Sequence, residues 1–439
     1  MVRKGERARW LPWLHPIGAF IVSRWTRSAQ RAGSPSASAH PPEGVLRIGI
    51  DLASWSDPRG YGRFTRGIVN ALLASETRHD FVTYVDATTA REHRLPAGAQ
   101  VVTVETAEAP TRAASASGRR RLGDLRAMAR AVGATRPDVL LFPTVYTWFP
   151  VWTRCVVVVG IHDVIAEQYP ELVFPERRRR RLWNLKSRLA RWQADYVMTV
   201  SRYAARGIVE RLGWPGDRLW VVEEAPDPVF RPLSPAEIRS DVLKRCGIGA
   251  EQPFLLYVGG VNPHKNLPLF AEALAGVRSE GADLRLVIVG DIEGDRFTPG
   301  IAELRARLGT LRLDSAVTFA GRLEDADLVH LLNAARAVVL PSRSEGFGLP
   351  AVEGAACGTP ALATRNSPLP ELLQGGGIFF DPADRRAMEV ALRRILDPGE
   401  RARMGRAALE AVRHLGWDRS ARHLLDRLDS LTPLARPAR

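Results

Sequence analysis

The densest set of chemically capable residues is the stretch PSRSEGFGLPAVEGAACGTPALAT, residues 341–364. It follows an apolar run ending at Leu340 that reads as a buried strand. Pro350 suits the first turn of a helix, where a missing N–H costs nothing. Gly358 and Pro360 then stop that helix. Such a helix start leaves the backbone N–H groups of Phe347, Gly348 and Leu349 without partners. Glycines at 346 and 348 let a ligand come close to that backbone. Free amides and the helix dipole together make an anion site suited to a diphosphate. Glu345 precedes the helix and Glu353 lies eight positions on, inside its first turns. One carboxylate can accept from sugar hydroxyls on one side of the phosphates, the other from ribose hydroxyls on the far side. The plainer alternative is an ordinary strand–loop–helix with two solvated glutamates.

Three further segments carry candidates. YVGGVNPHKN (257–266) places Gly259, Gly260 and Lys265 after a predicted strand, and a lysine there is a point charge for a phosphate. GIHDV (160–164) sets His162 and Asp163 at the C-terminal edge of another strand. In RGYGRFTRG (59–67), Gly60 and Gly62 permit a tight turn at a helix start, with amides able to face a phosphate or a second substrate. A lone G-x-G also marks ordinary turns.

The elements that must position these residues alternate. Strands are expected at Val45–Ile50, Phe81–Val85, Val101–Val104, Val139–Phe142, Val156–Ile161, Tyr196–Val200 and Leu219–Val222. A proline-rich segment, Pro226–Pro235, breaks the series and reads as a linker. Strands resume at Phe254–Val258, Leu284–Val289, Val317–Phe319, Ala337–Leu340, Pro360–Ala363 and Ile378–Phe380. Helices are expected between them, at Leu267–Ser279, Ile301–Leu308, Asp325–Ala335, Pro350–Cys357 and Asp384–Ile395. Short β-branched runs separated by helices imply parallel sheets covered on both faces. Both halves open with strand, glycine loop and helix, which predicts two doubly wound α/β domains whose strand C-termini meet at one cleft.

The chain has 439 residues, 45% hydrophobic and 25% charged, which excludes disorder over most of its length. Cys155, Cys246 and Cys357 are widely spaced and match no zinc or redox pattern, so they are expected as core thiols. The formal charge of +14 favours anionic partners. It concentrates before residue 45 and in Arg177–Arg181 with Lys186, Arg188 and Arg191. No apolar run reaches the ~18 residues of a spanning helix. Residues 31–44 read as a flexible linker behind a basic N-terminal extension, 1–44 in all.

EGFGLPAVE resembles the E-x7-E motif of family 4 retaining glycosyltransferases, which have the GT-B fold of two Rossmann-like domains. The resemblance runs in order over roughly residues 45–430. It implies an N-terminal acceptor domain over 45–226, completed by a C-terminal helix near 416–430, and a nucleotide-sugar donor domain over 236–415. It implies catalytic roles for His162, Glu345 and Lys265. It also implies donor contacts from Gly60, Gly62, Gly259, Gly260, Lys265, Phe347, Gly348, Leu349 and Glu353. His162 would sit beside the donor sugar and the acceptor, with Asp163 supporting it. Many members carry an arginine where this chain has Gly260, so a second phosphate cation is either Arg343 or Arg63, or is absent. The usual Asn-Gly before the linker is replaced by Glu224-Ala225. SPLPELL (367–373) also matches, with Glu371 near the nucleotide or only at a helix start. Ser201 is expected as a helix N-cap without a chemical role.

Asp325-Ala326-Asp327 spells D-x-D, a metal–diphosphate motif of a different glycosyltransferase fold. Here it opens a helix just after Gly321, where acids favour the dipole. No metal or other cofactor is expected, since amides and Lys265 can stabilise the leaving diphosphate. The resemblance implies GDP-mannose or a UDP-hexose as donor and a glycan or lipid-linked acceptor of cell-surface polysaccharide synthesis. Arg177–Arg191 and the N-terminal extension would touch an anionic membrane surface, placing the chain in the cytoplasm or on the inner face of the membrane. The rival for Arg177–Arg191 is a solvated helix face. Two rival functions are a sugar-nucleotide epimerase on the same fold and a non-enzymatic membrane or nucleic-acid binder. The E-x7-E motif speaks against the first. The paired glycine loops speak against the second, and nucleic acid is not an expected partner.

Overall fold

A computed structural model describes residues 44–107, 121–174, 176–249, 252–290 and 298–431. The N-terminal extension predicted over 1–44 thus lies outside them, except for Gly44.

The first sheet contains β1 (Arg47–Asp51), β2 (Asp80–Asp86), β3 (Gln100–Val104), β4 (Val139–Phe142), β5 (Val156–Gly160), β6 (Tyr196–Thr199) and β7 (Leu219–Val221). Its order is β3-β2-β1-β4-β5-β6-β7, with every neighbouring pair parallel. The second sheet contains β8 (Phe254–Val258), β9 (Arg285–Val289), β10 (Val317–Gly321), β11 (Ala337–Leu340), β12 (Ala361–Thr364) and β13 (Gly377–Phe380). Its order is β10-β9-β8-β11-β12-β13, again parallel throughout. This is the GT-B architecture that the sequence predicts.

The central strands carry apolar side chains on both faces because helices cover both. VLLF in β4, AVVL in β11 and ALAT in β12 are buried at every position. In each sheet the strand order reverses beside the first strand, between β1 and β4 and between β8 and β11. A crevice opens outside the strand C-termini at such a switch point. The chain's candidate residues all follow strands at or next to these two places.

The last described helix, Trp417–Asp429, returns to the first lobe. The Trp417 ring meets Phe64 edge-on at 5.9 Å between centroids, and Ser420 donates to the Glu223 carbonyl at 2.7 Å. All three cysteines are buried and unpaired, as expected of core thiols.

Candidate active site

The loop after β11 and the helix Leu349–Ala356 form the expected cradle. Gly348 caps the helix with φ +90°, a left-handed conformation that favours glycine. The amides of Phe347, Gly348 and Leu349 have no acceptor among the described residues. The amide of Glu345 is engaged by the Asn366 carbonyl at 3.0 Å, which pins the start of the loop.

Glu345 and Lys265 come together although 80 positions apart: Lys265 Nζ donates to Glu345 Oε1 at 2.8 Å. The Ser342 hydroxyl donates to the same oxygen at 2.5 Å. Burial pushes the Glu345 carboxyl up, but Lys265, Ser342 and His264 outweigh it and hold the group below the ordinary value. Lys265 sits in the turn Pro263–Lys265 after β8, one residue before Asn266. Asn266 is tied by its side-chain amide to the carbonyls of Pro341 and Pro382. The Asn266 clamp therefore joins the lysine's turn to the loop that carries Glu345.

Gly259 and Gly260 shape that turn. The Gly259 amide donates to Val289 O at 2.9 Å, and the Gly260 carbonyl accepts from Tyr257 Oη at 2.7 Å.

From the first lobe, His162 follows β5 and is mostly buried. Its Nε2 lies 2.9 Å from the Pro143 carbonyl. A carbonyl can only accept, so Nε2 carries the hydrogen and Nδ1 presents a lone pair. Burial lowers the imidazole pKa to about 4, against the raising influence of the Pro143 bond. The ring is fixed by Phe64, edge-on at 4.7 Å, which Trp417 backs in turn. Asp163 accepts from the Ile165 amide at 2.9 Å, supporting the loop rather than the imidazole.

The lobes touch at the cradle. A Cβ on Gly346 would meet the His162 carbonyl at 2.4 Å, so only glycine fits there. Ser201 caps its helix through the Ala204 amide, as expected, and also donates to the Gly346 carbonyl at 2.6 Å. That second role left no mark in the sequence.

Two of the candidates are engaged within the protein. Arg63, considered as a phosphate cation, is paired with both Glu353 and Asp325 across the cleft. Burial raises the Glu353 pKa to about 7, Arg63 pulling against it and Asp325 adding to it. The Gly62 amide donates to the Arg59 carbonyl at 3.0 Å at the helix start. Gly60 begins that helix, Gly60–Ala74. Asp325 and Asp327 do lie in the first turn of Asp325–Ala334, but hold arginines: Arg63, and Arg239 with Arg245. Arg343 donates to Pro382 O at 3.4 Å, and Glu371 pairs with Arg206 at 3.3 Å on the surface.

Sequence reading also missed the part played by Glu224. It follows β7, is 5% exposed, and its Oε1 stands 3.9 Å from His162 Nδ1. A carboxyl just past a strand C-terminus and before Pro226 was the available signal.

Away from the cleft, the helix Arg177–Gln193 buries Trp183, Ser187 and Ala190. Its opposite side exposes Leu182, Leu185, Leu189 and Trp192, each at least 36% accessible. Spacings of three and four place these four on one stripe. No helix among the described residues is long and apolar enough to cross a membrane.

Two family models match the chain: "Glycosyl transferases group 1" over residues 240–411 and "Glycosyltransferase Family 4" over residues 58–228. The chain is 34% identical over 242 residues to a D-inositol 3-phosphate glycosyltransferase of Acidothermus cellulolyticus, covering 53% of this chain and 52% of that protein. It is 29% identical over 264 residues to O-antigen chain mannosyltransferase B of Escherichia coli, covering 60% and 67%. The match thus spans about half the length of the first of these relatives. Among solved structures, sucrose-phosphate synthase from Thermosynechococcus elongatus superposes with TM-score 0.69 at 18% identity, over 87% of this chain and 98% of that one. Anabaena HepE in complex with UDP and glucose gives TM-score 0.67 at 19% identity, over 88% and 100%.

Proposed function

Because the chain belongs to the family 4 glycosyltransferases of GT-B fold, we propose that it moves a hexose from a nucleoside-diphosphate sugar to a hydroxyl of a glycan or lipid-linked acceptor, with retention of anomeric configuration. The observation that carries this reading is the pairing of a partnerless amide cradle, Phe347 to Leu349, with the Lys265–Glu345 ion pair at its edge. In the reaction the anomeric C–O bond breaks and a diphosphate departs. Negative charge grows on the leaving oxygen, where the amides and Lys265 can offset it. Positive charge grows on the sugar ring, where ionised Glu345 can orient hydroxyls and ease it. Glu353 would accept from ribose hydroxyls once Arg63 releases it. No metal is needed in this scheme, and the acceptor attacks from the face the diphosphate leaves.

Mannose is the favoured sugar, supported by the likeness to an O-antigen mannosyltransferase, and a role in cell-surface polysaccharide synthesis goes with it. UDP-glucose is the alternative donor. The apolar stripe on Arg177–Gln193, flanked by its arginines, suits an anionic lipid surface, where each basic residue contributes ~1 kcal/mol.

The test is a thermal-shift panel of nucleotide sugars with EDTA present, followed by transfer assays with and without candidate acceptors. Stabilisation by GDP-mannose or UDP-glucose with acceptor-dependent transfer is expected. Sugar isomerisation without acceptor would reassign the chain as an epimerase.

A further inference from the structure

We propose that Glu224 is a sugar-selecting residue: together with Nδ1 of His162 it seats one hydroxyl of the sugar carried by the nucleotide donor. The inference rests on the sugar-nucleotide reading above and concerns a residue where the chain departs from its family pattern.

Glu224 is buried against the cleft, and its carboxyl has no hydrogen-bond partner among the described residues. The 3.9 Å between Oε1 and His162 Nδ1 is too long for a direct bond. A hydroxyl oxygen about 2.8 Å from each atom would bridge them, with an angle near ~90° at that oxygen. The roles in such a bridge are fixed by Pro143. Since His162 Nε2 donates to the Pro143 carbonyl, Nδ1 must accept, and it takes the hydroxyl proton. The hydroxyl lone pair then needs a donor, which a protonated Glu224 provides.

The surroundings keep that proton in place. Burial comes first, then the carboxylates of Glu353, Glu345 and Asp163, with Arg63 opposing; together they raise the Glu224 pKa to about 8. His162 is neutral through this range. A diphosphate in the cradle adds negative charge and holds the proton more firmly. Reach is also satisfied. The His162 backbone abuts Gly346, so a sugar joined to a diphosphate on the Phe347–Leu349 amides lies beside the imidazole.

A pH signature follows. As pH rises through about 8 the carboxyl ionises. The hydroxyl then faces two acceptors with one proton, and the sugar's share of the affinity is lost while the nucleotide's share remains. Glu224→Gln supplies an N–H donor at every pH. Glu224→Ala supplies none.

The experiment is calorimetric titration of the wild type and both variants with UDP-glucose against UDP and with GDP-mannose against GDP, from pH 6.5 to 9.5. For the preferred donor, the wild type should bind the sugar nucleotide about tenfold better than its nucleoside diphosphate at pH 7, as one buried hydrogen bond allows. That advantage should fall away as pH rises above about 8, the Glu224 pKa before the diphosphate binds. E224Q should keep it throughout and E224A should lack it, with nucleoside-diphosphate affinity equal in all three at pH 7, where Glu224 is protonated. An advantage that is the same in all three proteins, or E224Q behaving as E224A, overturns the assignment. Failure of the wild type to bind UDP and GDP at all sinks the sugar-nucleotide reading, and this proposal with it.

Discussion

Replacing Lys265 by alanine should separate catalysis from stability in one molecule. In the intact protein the Nζ stands 2.8 Å from Glu345 Oε1, with the two side chains 21% and 11% accessible. Removing one partner of such a pair costs roughly 3–5 kcal/mol if the other stays charged. Glu345 can escape part of that by taking up a proton, which relieves about 1.36 kcal/mol for each pH unit below its new pKa. The sign follows from linkage. In the wild type the Glu345 pKa lies below its unfolded value, so its contribution is present above that value and lost as pH falls. In K265A burial acts without the lysine and lifts the pKa above the unfolded value. The contribution is then complete below that value and fades as pH rises through the folded pKa. The melting-temperature gap between K265A and wild type should therefore widen from pH 5.5 to 8.5 in scanning fluorimetry. Adding E345Q to K265A should close most of it. Transfer should fall about 10²–10³-fold in K265A, as for one lost donor to a leaving oxyanion. A K265A protein within tenfold of wild-type transfer, or a gap that narrows with pH, would refute the assignment of Lys265.

Arg63→Ala tests who holds Glu353. With Arg63 gone, nucleoside-diphosphate affinity at pH 8 should stay level or improve, because the ribose no longer competes with a guanidinium; calorimetry reads this, and a tenfold loss would make Arg63 a phosphate ligand instead. For the exposed apolar stripe, Leu185→Glu with Leu189→Glu should abolish co-sedimentation with phosphatidylglycerol vesicles while leaving sugar-nucleotide binding intact. Burying the exposed parts of two leucines contributes roughly 1.5–3 kcal/mol and the new carboxylates repel an anionic surface, so the loss should be about a hundredfold, and unchanged sedimentation would leave the stripe as plain surface.

Much of the architecture is written locally. Apolar runs such as VLLF and AVVL are buried on both faces, so each announces a central strand without help from distant residues. All thirteen predicted strands lie within two residues of those observed. The cradle was legible for the same reason, since Glu345, Gly348, Pro350 and Glu353 belong to one loop and one helix. What could not be read is pairing across the cleft. Arg63 carries no local sign of choosing Glu353 and Asp325, 290 and 262 positions away. Ser201 looks like any N-cap, and its bond to Gly346 is set by how the lobes meet. Glu224 read as a mere departure because the carboxyls it is buried among, Glu345 with Glu353 and Asp163, come from two other segments of the chain.

These cross-lobe contacts bear on chemistry more than on stability. The amide cradle and Lys265 belong to the second lobe; the imidazole and Glu224 belong to the first. A donor molecule is covalently continuous, so its phosphates and sugar must find both sets at one spacing. Gly346 fixes that spacing. Its carbonyl takes the Ser201 proton on one side while its Cα rests against the His162 backbone on the other. A Cβ there would stand 2.4 Å from the His162 carbonyl, so any side chain would force that strand end and the cradle loop apart. Under the proposed function, the glycine between Glu345 and Phe347 would set the distance between leaving group and sugar as well as let a ligand approach.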